Sequence, residues 1–474
     1  MARWVDEAID ELDLSPLWDA YRGVGSDAHP PELVLKGVVL EYLDGRPSPA
    51  QWYRDFRDSS AIRWISRGVR PSRSAMYDFR DRVGPAVENL VDQIVQGAQA
   101  AGFLSGKRMV LDGTVIRSQA SRHRLLNKSR LDRRLAALKL AMQQEAAGQS
   151  IDPFPKWMAK TTRGRQRQFE LHTAAAAVLQ ERLEKNAARP KDKRLDERHV
   201  LVSPTDPEAP IGRDKEKVLC ALYNLQFQVD SQSLMIADYA TNAQPTDTGL
   251  LPEVLDSTKD VLGFYPAEQL VDAGYVSIPD LRDCATRGVD LIGPYQENDY
   301  TARKKAEKQS QKPAPQLGKE LFQWQPEQQT YVCPQGHVMS AERREKVARR
   351  GGDIELEQTQ YRCSPVHCQV CPLRDQCCQN PKTGRTIKRL EGEELVEQHL
   401  KKMATPEMKE IFRTRGSIIE RSFGDCKGHR NFRRFHCRGR DRSHAEIGLL
   451  VLATNLLHLR RLRKSKETPS AAPG

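Results

Sequence analysis

Tyr223-Asn-Leu-Gln-Phe-Gln-Val-Asp230 alternates without a break, with Tyr223, Leu225, Phe227 and Val229 on one side and Asn224, Gln226, Gln228 and Asp230 on the other. A period of two is the signature of a β-strand with one buried face. Downstream, Ser231-Gln-Ser turns the chain into a second strand, Leu234 to Tyr239, and a helix is expected over 247–258. Glu268-Gln-Leu-Val-Asp272-Ala-Gly reads as a short strand ending in an aspartate. Ser277-Ile-Pro-Asp opens another helix with a serine cap and an early proline, and Val289-Asp-Leu-Ile-Gly-Pro is strand again. Strand, hairpin, helix, strand, helix, strand is a mixed α/β core. Upstream, Lys107-Arg-Met-Val-Leu-Asp112-Gly is an apolar run expected to stop at Asp112 and project its carboxylate, although Asp-Gly also opens ordinary turns.

At 474 residues the chain exceeds one hydrophobic core, so several domains are expected. Lys plus Arg number 75 against 63 Asp plus Glu, a net charge of +12, which favours a polyanionic partner and nucleic acid above others. The start, Met-Ala-Arg-Trp-Val-Asp-Glu, lacks an apolar leader, and no run reaches the roughly 18 apolar residues of a membrane span. A reducing cytoplasmic compartment is the expectation, and clustered cysteines there suggest metal rather than disulfides.

Residues 1–95 read as helical. Pro31 to Leu43 carries apolar residues at helical spacing, a second helix runs through Trp52, Phe56 and Ile62, and a serine caps a basic helix holding Arg73, Arg80 and Arg82. Short helices ending in a basic one resemble a helix-turn-helix, so these arginines are candidate DNA contacts; the alternative is a bundle with a charged outer face. Residues 117–200 form a basic helical insertion, either an arm over DNA or a solvated hairpin. Around it the core is expected at 105–116 and 215–298. A linker begins near 300 and leads into a cysteine-rich insertion reaching 390. There Cys368-Gln-Val-Cys371, with Cys377 and Cys333, makes a four-thiolate set suited to structural zinc, with Cys363 as rival fourth ligand and an iron–sulfur cluster as the alternative.

The C-terminal part of the core, 395–462, contains Phe412-Arg-Thr-Arg-Gly-Ser-Ile-Ile-Glu420-Arg-Ser-Phe-Gly-Asp-Cys-Lys427. Glu420 and Lys427 are seven residues apart and share a face of a regular helix. Arg413 and Arg415 precede them, and Arg433 and Arg434 follow among aromatics, a pattern suited to phosphate. Ser417-Ile-Ile-Glu420 also fits a capping box, which would give Glu420 a purely structural task. The apolar run Ala445 to Leu459 reads as a buried helix and 463–474 as a disordered tail.

Asp112 and Asp272 on strands and Glu420 on a helix, in that order, resemble the ribonuclease-H-like nucleotidyltransferases. More closely, Asp112-Gly-Thr, Val271-Asp272-Ala-Gly-Tyr275, the cysteine knuckle before Pro372-Leu-Arg and Ile419-Glu420-Arg-Ser-Phe leading to Lys427 are similar to the DDE transposases of bacterial insertion sequences. Related enzymes usually carry an arginine four positions before the glutamate, where this chain has Gly416 between Arg413 and Arg415.

The resemblance implies a ribonuclease-H-like mixed-sheet core with an N-terminal helical DNA-binding domain. It also implies two Mg²⁺ or Mn²⁺ ions about 4 Å apart on Asp112, Asp272 and Glu420, with cleavage and strand transfer at one site. Double-stranded DNA, as terminal inverted repeats and target, is the expected partner of a homodimer. The competing readings are a DNA-binding zinc protein with an inactive nuclease core and a nuclease that does not transpose.

Overall fold

The computed structural model describes residues 1–21, 29–151, 154–189, 191–295, 317–349, 354–378, 380 and 382–467. Most of the expected linker, and the tail beyond residue 467, lie outside them. Seven helices lead: α1 (Ala2–Asp10), α2 (Ser15–Asp19), α3 (Pro31–Leu43), α4 (Pro49–Asp58), α5 (Ser60–Ile65), α6 (Arg73–Arg82) and α7 (Gly84–Ala100). The helix predicted from Pro31 to Leu43 has those bounds, and Ser72 caps α6 by accepting from the Ala75 N–H. Helix α3 is apolar nearly all round and accordingly buried. Its one lysine, Lys36, is held by Asp6 and Asp10, each at 2.6 Å.

The chain then enters β1 (Arg108–Arg117), leaves it for the long helices α8 (Lys128–Ala146) and α9 (Thr162–Ala188), and returns through β2 (Ile211–Arg213), β3 (Leu219–Asp230), β4 (Ile236–Asn242), α10 (Leu251–Leu262), β5 (Glu268–Leu270), α11 (Ile278–Arg287) and β6 (Asp290–Ile292). The sheet runs β2-β3-β1-β5-β6, with β4 also on β3. β1 pairs antiparallel with β3 and parallel with β5, and β5 is parallel to β6. This is the mixed α/β, ribonuclease-H-like sheet expected from the sequence.

Two readings are corrected here. β1 does not stop at Asp112 but continues to Arg117, because β3 pairs with it along its whole length; only the parallel neighbour β5 ends early, opposite Val110. β3 is buried on both faces, not one. Its polar side faces α10 and α11, and the amides are satisfied there: Gln228 and Gln269 bond each other, and Asn224 and Gln226 bond Asp247.

A second sheet, β11-β10-β9-β8-β7, comprises β7 (Gln323–Gln325), β8 (Thr330–Val332), β9 (Val338–Arg349), β10 (Ile354–Cys363) and β11 (Thr386–Leu390). After it come a helix at Glu393–Met403, the glutamate helix Pro406–Gly424 and a C-terminal helix Arg440–Glu467, longer than the run predicted. The N-terminal helices have no core of their own. α3, α7, one face of β1, β3 and β4, the glutamate helix and the C-terminal helix share a single apolar cluster. Among the described residues no helix is long and apolar enough to cross a membrane.

Candidate active site

Asp112 lies mid-strand in β1, one step beyond the end of its pairing with β5, and Asp272 follows β5 by two residues. Side chains alternate along a strand, so Asp112 shares its face with Val110 and Thr114, and its cross-strand partner Phe227 stacks on Phe423 of the glutamate helix at 5.3 Å. Asp112 thus faces that helix. Asp112 Oδ1 accepts from the Gly113 N–H at 2.9 Å, and Asp272 Oδ1 from the Gly274 N–H at 2.7 Å. Burial pushes the Asp112 carboxyl up to about 6; Asp272 and Asp247 add to the rise, while Arg415 and the Gly113 N–H oppose it.

Arg415 Nη2 stands 3.0 Å from Asp112 Oδ2. The contact is a charge pair and not an aligned fork, since Arg415 Nε and Nη2 are buried and make no hydrogen bond. The glutamate helix is continuous from Pro406, with Thr405 as its cap accepting from the Met408 N–H. Ser417 is therefore mid-helix, and the capping-box reading of Glu420 fails. On this continuous helix Arg413 shares the Glu420 stripe; it is exposed and pairs with Glu410, while Arg415 reaches Asp112. The sheet packs on the stripe of Arg415, Ile419, Ser422 and Phe423, about 140° from the Arg413 and Glu420 stripe.

Glu420 is exposed, and its carboxylate leans back toward Gly416, where an added Cβ would lie 3.9 Å from Oε1. Lys427 does not stay on the Glu420 stripe as a regular helix would require. The helix widens into a π turn over Asp425–His429, which swings Lys427 inward. Its Nζ donates to Thr114 Oγ1 at 2.5 Å and to the Val115 carbonyl at 3.4 Å. Burial first, and then Lys215, lowers the Lys427 ammonium to about 8. Asp112, Arg415 and Lys427 are thus brought together, with Asp272 beside them. Glu420 stands apart, and among the described residues no three His, Cys, Asp or Glu side chains form a finished metal-ligating group.

Other candidates are placed differently. Arg80 is buried, bonding Asp81 and the His436 carbonyl at 3.0 Å, so it ties α6 to the approach of the C-terminal helix and is not available to DNA. Arg434 is spent on the Ser118 and Ala120 carbonyls. Arg433 donates to the Lys427 carbonyl, Arg82 lies 5.5 Å over the Tyr21 ring, and Arg73 is exposed. The cysteines meet in the second sheet. A cavity of about 20 Å³, room for one water-sized particle, is lined by Cys333, Cys363, Cys368, Cys371 and Cys377 beside His337 and His367. Burial and the adjoining Cys368 and Cys333 thiols push Cys363 up to about 12, so the rival ligand sits against two of the expected four.

One residue escaped the sequence reading. Asp247, in the loop between β4 and α10, lies behind β1 against Gly113 and near Gly274. The helix expected over 247–258 runs from Leu251 to Leu262, which leaves Asp247 in the loop before it, an aspartate that the sequence did not mark out.

Residues 332–460 match the family model described as the transposase DDE domain. Over this stretch the chain is similar to that domain. The matched part runs from the end of β8 into the C-terminal helix, and so includes the cysteines of the second sheet, Glu420 and Lys427. Asp112 and Asp272 precede it, and the fold brings Arg415 and Lys427 of the matched part to the strand of Asp112. No curated protein matches the chain.

Proposed function

We propose that this chain is the transposase of an insertion sequence, cutting phosphodiester bonds at element ends and joining the 3′-hydroxyl to target DNA at Asp112, Asp272 and Glu420. The observation that carries the reading is the Arg415 side chain. It stands over Asp112 with two buried N–H groups that have no hydrogen-bond partner, on the strand face where Lys427 also points. Buried guanidinium donors without acceptors are well suited to phosphate oxygens.

Asp112 and Asp272 suit hard divalent ions such as Mg²⁺ or Mn²⁺: both are oxygen donors, and their mutual repulsion is relieved by a cation. Such ions, when bound, activate the attacking oxygen and stabilise the leaving one. Arg415 would exchange its contact with Asp112 for a phosphate oxygen, and Lys427 would hold the neighbouring phosphate. Glu420, one turn beyond Gly416, would swing from its exposed position to join the aspartates. Arg73 and Arg413, both exposed, remain available to the DNA backbone, and double-stranded DNA held by a homodimer in the bacterial cytoplasm is the expected setting. For the second sheet we infer a structural zinc held by Cys333, Cys368 and Cys371, with Cys377 or its rival Cys363 as the fourth ligand. Its support is the convergence of thiols on a cavity with room for one ion.

A second reading, a DNA-binding protein with an inactive core, draws on the exposed place of Glu420. Cleavage and joining of DNA from the gene's own flanks, with Mg²⁺ or Mn²⁺, compared between wild type and Glu420→Gln, decides between them. Metal-dependent cutting and joining lost in the variant supports the transposase. Tight binding without chemistry in either protein supports the inactive core.

A further inference from the structure

The glutamate helix, its π turn and the C-terminal helix meet Leu234 of the β3–β4 turn around a cavity of about 460 Å³. Its chemistry is one-sided. Arg421 and Arg461 line it and are exposed, with His429 and the half-buried His458 between the helices beside them. Among the described residues neither arginine has a carboxylate or a hydrogen-bond acceptor. Arg463, two positions on, is by contrast paired with Glu11 at 2.9 Å. The carboxylate in the lining, Asp425, is taken by Arg430 Nε at 3.0 Å. A second observation points the same way. Ser422 and Thr454 also line the cavity and are only 8% and 5% exposed, yet neither hydroxyl bonds another described group. A helical hydroxyl at such depth often donates back to the carbonyl four residues before it, as Thr258 does to Val254 at 2.7 Å. These two make no such bond.

We propose that this cavity seats one backbone phosphate of the bound DNA, with Arg421 and Arg461 on its oxygens from outside and the Ser422 and Thr454 hydroxyls from within. Guanidinium and hydroxyl donors without an acceptor suit phosphate oxygens. The inference rests on the reading of this chain as a DNA-acting enzyme. Arg421 and Ser422 directly follow Glu420, so DNA brought to that glutamate passes the cavity. Arg415 and Lys427 serve phosphate on the β1 side of the glutamate helix, and the cavity serves it on the side of the C-terminal helix.

The test is binding of a duplex oligonucleotide to the full chain, in EDTA to keep divalent ions out, followed by fluorescence anisotropy over a range of salt. Arg421→Gln with Arg461→Gln removes two exposed, unpaired charges and is expected to melt near wild type. It is expected to bind the duplex roughly tenfold or more weakly, with the slope of log affinity against log salt reduced by about 1, the loss of one phosphate contact. Thr454→Val removes only a hydroxyl and is expected to weaken binding a few-fold with the salt slope unchanged. Wild-type affinity in both variants overturns the cavity and leaves the proposed function standing; no duplex binding by wild type overturns the proposed function as well. The source of the phosphate is read from the His458 ring resonance by NMR. A shift on adding the duplex supports the proposal. A shift with inorganic phosphate but not with the duplex overturns DNA as the source, and no shift with either overturns the site.

Discussion

Around Asp112 and Asp272 the buried polar atoms of the six-stranded sheet are organised: Asn224, Gln226, Gln228 and Tyr275 each bond a named neighbour, and the aspartates themselves are fixed by backbone N–H groups. The five-stranded sheet is built otherwise. Its core is small, Phe322, Tyr331, Met339, Tyr361 and Ile387 with cysteines, and its thiols lie against one another. The first sheet offers a rigid frame on which charge can be held out to a ligand. The second has a small apolar interior, and the zinc proposed for its thiols would supply part of its order.

The sharpest break of that comparison is at the aspartates. Asp112→Asn and Asp272→Asn are each expected to lower DNA cleavage by roughly 10³-fold or more, about 4 kcal/mol on the barrier, while binding and melting stay near wild type. A gel assay beside a thermal melt checks this, and a large fall in melting would mean that the frame is less independent than its hydrogen bonds suggest. Next comes the thiol set. Cys368→Ser with Cys371→Ser, or a chelator, is expected to abolish amide-exchange protection across 323–390 and leave 108–117 and 219–230 protected. Equal loss in both sheets would show them to be one cooperative unit.

Arg415→Ala is expected to cost cleavage roughly tenfold to a hundredfold, the range for removing one preorganised donor, and to raise the Asp112 carboxyl further, because the guanidinium now holds it down. Carboxyl titration by NMR distinguishes this from a purely structural loss, which would leave the Asp112 resonance shift unexplained. The smallest effect is at Lys427. Its ammonium is lost as pH rises through about 8, well below the usual lysine range, so phosphate contact should weaken from there upward. Lys427→Arg keeps its charge and is expected to bind DNA up to about tenfold more tightly than wild type at pH 9, with little difference at pH 7.

Much of this was legible in the sequence, because local signals and tertiary packing agree. The serine caps, the apolar run at 31–43, the hairpin and the strands around Asp272 all stand where spacing puts them. What was hidden lies where a neighbour decides. Asp112-Gly reads as a stop until β3 is known to pair past it. Polar residues on β3 read as a wet face until Asp247 and Gln269 are found against them. The helix stripe of Glu420 and Lys427 is broken by five residues of wider turn, for which Asp425-Cys-Lys-Gly-His carries no obvious signal. Arg415 was preferred over Arg413 by where the sheet lies, which spacing alone does not tell.

The shared cluster of the first helices and the last has a consequence for biosynthesis. α3 and α7 pack against Arg440–Glu467, and the Tyr42 hydroxyl donates to the Glu446 carbonyl. A ribosome therefore releases the apolar faces of α3 and α7 several hundred residues before the helix that covers them. Those faces stay open for as long as translation takes, at about 5–20 residues per second, and are substrates for chaperones and proteases in the meantime. A frameshift or stop codon ahead of Arg440 would yield, in place of a shorter working enzyme, a chain marked for clearance.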